Sequence, residues 1–272
     1  MSLDSAETAL ALYCEAAQEP SENIKWSAQY ERARLQDFYS SIKIQIMKKK
    51  ILFVVSGAKQ IGPKKRPTGN FLTETAHPYV TFRRQGYDVD IYSIKGGEAP
   101  LDGMADKNNE LNQIFLNGEG LAQLKVTKPI TEIDNVDEYD AVFVPGGLAP
   151  MVDMPENELV HDIIKTMWES GKVVSAVCHG PVSLLNIKLS NGSWLIKGKN
   201  ITAFSNDEEE NYAKADVPFE LETALRGHGC NFSFVEPWQP YSITDGRLVT
   251  GQNPASALGV GVRVVTILES NA

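Results

Sequence analysis

The residues best suited to chemistry are Cys178 and His179, in the run Val173-Val174-Ser175-Ala176-Val177-Cys178-His179-Gly180-Pro181. The β-branched apolar run predicts a strand that stops at the cysteine. Pro181 suits the first turn of a helix, where its missing N–H is not needed. A residue held on so sharp a strand-to-helix turn is crowded, so its neighbours two before and two after must be small. Ala176 and Gly180 stand there, which makes the run a cysteine counterpart of the G-x-S-x-G nucleophile elbow. The following helix is expected to aim N–H groups at the sulfur, favour the thiolate and lower the thiol pKa. A thiolate in such a place attacks carbonyl carbon. On a regular helix, neighbours at i and i+1 diverge, so a Cys178–His179 contact requires the irregular geometry of the elbow.

The other cysteines, Cys14 and Cys230, lack this setting and are read as structural. Three cysteines without regular spacing do not make a disulfide framework, and no Cys-x-x-Cys pair marks a zinc site. These features, and an N-terminus without a basic-then-apolar signal pattern, predict a reducing, cytoplasmic setting. The 272 residues carry 26 Lys and Arg against 35 Asp and Glu, for a net charge of −9. That charge repels phosphate backbones, so nucleic acid is not an expected partner. The longest apolar run is Ile51–Val55, too short for a membrane span. The basic loop Pro63–Pro67 lacks the G-x-x-x-x-G-K-[ST] spacing of a phosphate loop, and no strand is followed by G-x-G-x-x-G. Trp168, Trp194 and Trp238 are read as core or pocket walls.

Apolar content of 42% is enough for a buried core. Residues 1–46 are polar and helix-favouring and read as a helical N-terminal extension. From residue 47 to 272 strands and helices alternate. Strands are expected at Ile51–Ser56, Val89–Tyr92, Ala141–Val144, Lys172–Val177 and Asn200–Phe204. Helices are expected at Phe71–Gln85, Glu156–Ser170, Pro181–Leu189, Pro218–Gly227 and Pro254–Glu269, with Pro78 starting or kinking the first. Residues 96–135 form a Gly-, Pro- and Asn-rich insertion with a short helix at Asn108–Leu116. Asp245-Gly246 between two apolar runs signals a hairpin. The pattern predicts an α/β fold: a flavodoxin-like, doubly wound, mainly parallel sheet sandwiched by helices, with a small cap insertion. In such sheets ligands bind beyond the carboxyl ends of the strands, where Cys178 falls.

Three strings together resemble the ThiJ/PfpI superfamily, which is class I glutamine amidotransferase-like: Val144-Pro145-Gly146-Gly147, Ala176–Pro181, and Thr250-Gly251-Gln252-Asn253-Pro254-Ala255-Ser256. The resemblance covers about residues 48–270. Within the superfamily, Thr68–Pro78, Gly97–Asp102 and Asp245–Gly251 are similar to the glyoxalase III and heat-inducible chaperone branch. The resemblance implies that Cys178 is the nucleophile and His179 its partner. It implies an acidic third member within Phe204–Glu210. Glu209 stands where some relatives carry a carboxylate, and Asn206 where others carry Asp. Glu74 matches a glutamate beside the nucleophile; a carboxyl sharing an apolar pocket with a thiolate tends to be protonated and hydrogen-bonded to sulfur. Gly146 and Gly147, with the His179 N–H, match an oxyanion pocket. The histidine pair and glutamate that hold a metal in chaperone-type bacterial relatives have no clear counterpart, so no metal and no organic cofactor are expected.

The branch implies a glyoxalase III reaction, in which methylglyoxal becomes lactate without glutathione. It also implies a homodimer acting on a small reactive carbonyl. Rival readings remain: an amidase or peptidase using Cys178 and His179 in an open cleft, a stress holdase with an exposed apolar patch, and a cysteine redox sensor. If the 96–135 insertion caps Cys178, small substrates are favoured over proteins.

Overall fold

The computed structural model describes Arg34 and residues 48–270. The expected helical extension over residues 1–46 therefore lies outside the described residues, apart from that one position. A seven-stranded sheet is built from β1 (Lys50–Val55), β2 (Asp88–Ser93), β3 (Lys128–Pro129), β4 (Ala141–Val144), β5 (Val173–Val177), β6 (Ser242–Asp245) and β7 (Leu248–Gly251). Its order is β6-β7-β5-β4-β1-β2-β3, with only the β6–β7 pair antiparallel. Leaving aside the edge strands β3 and β6, the order is second, first, third, fourth, fifth, the flavodoxin-like winding. Its switch point lies between β1 and β4.

Burial on both faces explains the unbroken apolar composition of β1, β4 and β5. Leu52, Val54, Val142, Val144, Val174 and Ala176 face one core, under α4 (Glu158–Glu169). Ile51, Phe53, Val55, Ala141 and Phe143 face the other, under α1 (Leu72–Arg84) and α7 (Ala257–Ser270). Phe53 anchors this second core, tilted on Phe143 at 4.7 Å and edge-on to Phe82 at 6.0 Å. Each such ring or aliphatic side chain contributes roughly 1.5–3 kcal/mol when fully buried.

Pro78 neither starts nor ends α1 but lies inside it. Its ring removes the N–H that would bond the Glu74 carbonyl. α7 crosses close by, because a Cβ on Gly261 would come within 3.1 Å of Pro78 Cα.

The 96–135 insertion is more structured than expected. It holds α2 (Glu110–Leu116), started by Asn109, whose side chain accepts from Leu111 N, and also α3 (Glu119–Lys125). Its end supplies β3 to the sheet edge. Its start, Leu101–Asp102, pairs with Asn70–Phe71 directly before α1.

The expected Pro181–Leu189 helix is only a five-residue 3-10 segment, Gly180–Leu184. The expected strand at Asn200–Phe204 shortens to Asn200–Ile201, which pairs with Asn231–Phe232 in a separate small sheet. The Asp245-Gly246 hairpin forms as read, with Asp245 opposite Leu248 and Gly246 at φ +60°. No helix among the described residues is long and apolar enough to cross a membrane.

Candidate active site

The carboxyl ends of β4, β5 and β7 meet beside the switch point. β4 ends in Pro145-Gly146-Gly147, and β5 ends at Cys178, held between the Gly251 carbonyl, which accepts from Cys178 N at 2.9 Å, and Phe204 N, which donates to Cys178 O at 2.9 Å. Cys178 adopts φ +60°. That left-handed conformation is costly for a side-chain-bearing residue and persists only where its surroundings enforce it. The small flank at Gly180 is needed: a Cβ there would lie 2.3 Å from Val144 O.

His179 and Cys178 do meet, through this irregular geometry. Cys178 Sγ lies 3.4 Å from His179 Nδ1. His179 Nε2 lies 2.7 Å from Glu209 Oε2. Nε2–H donating to the Glu209 carboxylate leaves Nδ1 free to accept the thiol proton. The imidazole is fully buried and stacks on Phe204 at 4.4 Å between ring centres.

Glu209 reaches His179 because α5 (Asn206–Glu210) starts with a capping box. Ser205 Oγ accepts from Glu208 N, and Glu208 Oε2 accepts from Ser205 N. Glu208 and Glu209 are buried, whereas Asp207 and Glu210 are exposed. Asn206 turns away: its N–H donates to Glu222 and its side chain to Thr223. Among the acidic-run candidates, Glu209 is therefore the one against His179.

Glu74 lies on the first turn of α1, 0% exposed, beside the 3%-exposed Cys178. Neither carboxyl oxygen has a partner of ordinary hydrogen-bond geometry. Its polar neighbours are the Cys178 thiol and the amides of Gly146 and Gly147. Burial is the main cause that pushes the Glu74 pKa up to about 8, against the pull of those neighbours. At neutral pH the carboxyl is thus mostly protonated and able to donate to sulfur.

The thiol does not behave as the sequence predicts. Burial first, then the Glu74 charge and its hydrogen bond, push the Cys178 pKa well above its ordinary value, opposed by the Gly147 amide. The expected helix is a short 3-10 turn, and its N–H groups do not outweigh the loss of water. The resting pair is a neutral thiol beside a neutral carboxyl.

Gly146 is the hinge of this packing. A Cβ there would stand 2.5 Å from Glu74 Oε2, 2.6 Å from Val177 O and 2.7 Å from His179 N. Gly147 adopts φ +86°, and a Cβ there would meet Gly69 O at 2.3 Å. The insertion braces the same loop: Asn70 N donates to Pro100 O, and Asn70 Oδ1 accepts from Ser56 N.

The remaining histidines stay outside the cluster. His77 sits on the outer side of α1 against Asn109, and His161 is half-buried on α4. His228 is bound between Ala224 O and Asn186 Oδ1. Among the described residues, no group of three or more His, Cys, Asp or Glu side chains could hold a metal ion.

Sequence reading missed Glu208. It is buried beside Glu209 and accepts from Trp238 N and Asn253 Nδ2, both at 2.8 Å. The Thr250–Ser256 string carries Asn253 and was the available signal.

Together these features define an α/β protein with an elbow cysteine, a histidine–carboxylate pair and a buried carboxyl beside the switch point of a mainly parallel sheet. The chain belongs to the DJ-1/PfpI family, whose model matches residues 70–266. It is 34% identical over 224 residues to the glutathione-independent glyoxalase HSP31 of Saccharomyces cerevisiae, covering 75% of this chain and 90% of that protein. It is also 34% identical to glyoxalase 3 of Candida albicans, covering 76% and 92%. Among solved structures, it superimposes on glyoxalase III from Candida albicans with a TM-score of 0.73 at 30% identity, covering 80% and 97%. REP24 of Francisella tularensis gives a TM-score of 0.77 at 33% identity, covering 81% and 99%.

Proposed function

We propose that this chain is a glutathione-independent glyoxalase that converts methylglyoxal to lactate with no metal or organic cofactor. The observation that carries the reading is the shared burial of Glu74 and Cys178 beside the His179–Glu209 pair. The names of its relatives support the same class of reaction.

The residues suffice for each proton. Cys178 sulfur adds to the aldehyde carbon; its proton passes to His179 Nδ1, and the Glu74 carboxyl protonates the new oxygen, giving a hemithioacetal. Glu74, now a carboxylate, removes the hydrogen from that carbon while His179 protonates the neighbouring carbonyl oxygen, giving an enediol. Glu74 returns the proton to the neighbouring carbon, and the first hydroxyl gives its proton back to His179. The thioester so formed is attacked by water, whose proton goes to Glu74. The sulfur leaves with the proton from His179, and the resting state is restored. Gly146, Gly147 and the His179 N–H are the proposed oxyanion donors. Glu209 holds the imidazole in its reactive tautomer.

The burial of Cys178 supports a small carbonyl over a peptide, which needs an open cleft. Both described cysteines are free, in keeping with a cytoplasmic setting. The reading assigns the activity to residues 47–272, acting as a homodimer, for which sedimentation is the direct check. The test of function is lactate formation from methylglyoxal without glutathione, beside a panel of amide substrates. Lactate without amide cleavage is expected. Amide cleavage without lactate would overturn the reading.

A further inference from the structure

Trp238 is an outlier in two respects. It adopts φ +66°, a left-handed conformation that is strained for a bulky residue, and it remains 48% exposed. A strained residue persists only when the structure around it enforces the conformation. Here the restraint is explicit. Glu208 Oε1 accepts the Trp238 N–H, and Asn253 Nδ2 bridges Glu208 Oε1 and Gln239 O at 2.8 Å each. Gln252 pins the other end of the segment by exchanging two hydrogen bonds with the Val235 backbone. The Gln252-Asn253 pair of the Thr250–Ser256 string thus serves the loop that carries Trp238.

The indole held this way packs edge-on against Phe204 at 5.4 Å and Tyr212 at 5.8 Å. Phe204 backs the His179 ring, and its N–H binds the Cys178 carbonyl. The indole lines a groove of about 330 Å³ with Phe71, Thr73, His77, Asp106, Pro254 and Ala255. Phe71 N donates to Gly146 O, so the opposite wall is also tied to the reaction centre. Two of its walls, Trp238 and Phe71, are thus tied to the Cys178 cluster; these are aromatic, Pro254 and Ala255 are apolar, and Thr73, His77 and Asp106 form a polar side. A methyl substituent fills little of such a space.

We propose that Trp238 is a specificity-determining residue whose indole forms the wall of a groove that receives the substituent of a 2-oxoaldehyde, favouring flat aromatic substituents, and that Glu208 is the positioning residue that holds it there. This rests on the glyoxalase reading above. Flat rings find offset or edge-on partners in Trp238 and Phe71 that a methyl group cannot use.

The test compares kcat/KM for phenylglyoxal and methylglyoxal in the wild type, Trp238→Gly and Trp238→Phe. Glycine tolerates φ +66°, so removing the indole this way relieves backbone strain and protects folding. The phenylglyoxal-to-methylglyoxal ratio is expected to fall at least about tenfold in Trp238→Gly and to stay within about threefold in Trp238→Phe. Glu208→Gln places an amide donor against existing donors and is expected to lower the ratio less, through KM for phenylglyoxal. An unchanged ratio in Trp238→Gly, or parallel loss on both substrates, overturns the proposal. A wild type that acts on neither substrate overturns the glyoxalase reading itself, and the proposal with it.

Discussion

Cys178 and Cys230 stand in opposite regions of chemistry. Burial raises both thiols, Cys230 to about 11 and Cys178 well above its ordinary value. Cys230 is half-buried and precedes a two-residue strand, with Arg226 pulling its pKa back down. Cys178 is strained at φ +60°, with an imidazole 3.4 Å from its sulfur and a protonated carboxyl beside it. A low resting thiol pKa is therefore not what marks the reactive cysteine here. Proximate groups that exchange protons with the substrate mark it instead.

Removing each thiol in turn separates the two cysteines most strongly. Cys178→Ala should lower lactate formation by more than about 1,000-fold, whereas Cys230→Ala should stay within about twofold, measured as kcat/KM. Equal losses would remove the distinction.

Next in size is the packing that seats Glu74. Gly146→Ala forces a Cβ against Glu74 Oε2, Val177 O and His179 N. Overpacking of this kind costs roughly 1–3 kcal/mol of stability. Misplacing a reacting group by about 1 Å costs on the order of 100-fold in rate. Thermal unfolding and lactate assays on one preparation read both effects.

Glu209→Gln keeps the shape and removes the charge facing His179 Nε2. A loss of roughly tenfold or more in kcat is expected, with KM little changed, because the imidazolium formed when sulfur adds loses its counter-charge.

A thermodynamic signature separates the two regions without any substrate. The Glu74 pKa is raised on folding, so the folded state holds a proton that the unfolded chain releases near its ordinary value of 4.5. Stability from this group is fully present below that value and is lost as pH rises through about 8. Glu74→Gln removes the dependence. Its advantage over the wild type should grow from about pH 5 to about pH 8, by at most on the order of 1.4 kcal/mol for each pH unit crossed. Urea titrations of both proteins across that range check it, and identical slopes would contradict it.

Much of this was legible in the sequence. Val173–Pro181 announced the elbow, because only small residues fit around a crowded strand-to-helix turn, and Gly180 indeed lies against Val144 O. The apolar runs of β1, β4 and β5 marked a doubly covered parallel sheet, and Asp245-Gly246 fixed the hairpin. Other features depend on tertiary context. Pro78 is carried inside α1 because α7 and the sheet hold the helix on either side. The thiol pKa moves opposite to expectation because desolvation depends on what covers the sulfur, which no local pattern records. Glu208 and Glu209 are neighbours with separate tasks, set by the turn at Ser205 and the distant Asn253. Trp238 looks like any wall residue until its backbone angle is known.

Glu74, protonated at rest, gives its proton to the aldehyde oxygen and then, as a carboxylate, carries a proton between adjacent carbons of the Cys178 adduct. The most direct measurement is kcat/KM for lactate formation without glutathione, from about pH 6 to about pH 10, in the wild type and Glu74→Gln. Wild-type activity is expected to decline above about pH 8, as the carboxyl loses its proton, and a folded Glu74→Gln to form no measurable lactate. A Glu74→Gln protein that forms lactate at the wild-type rate would contradict this role for Glu74.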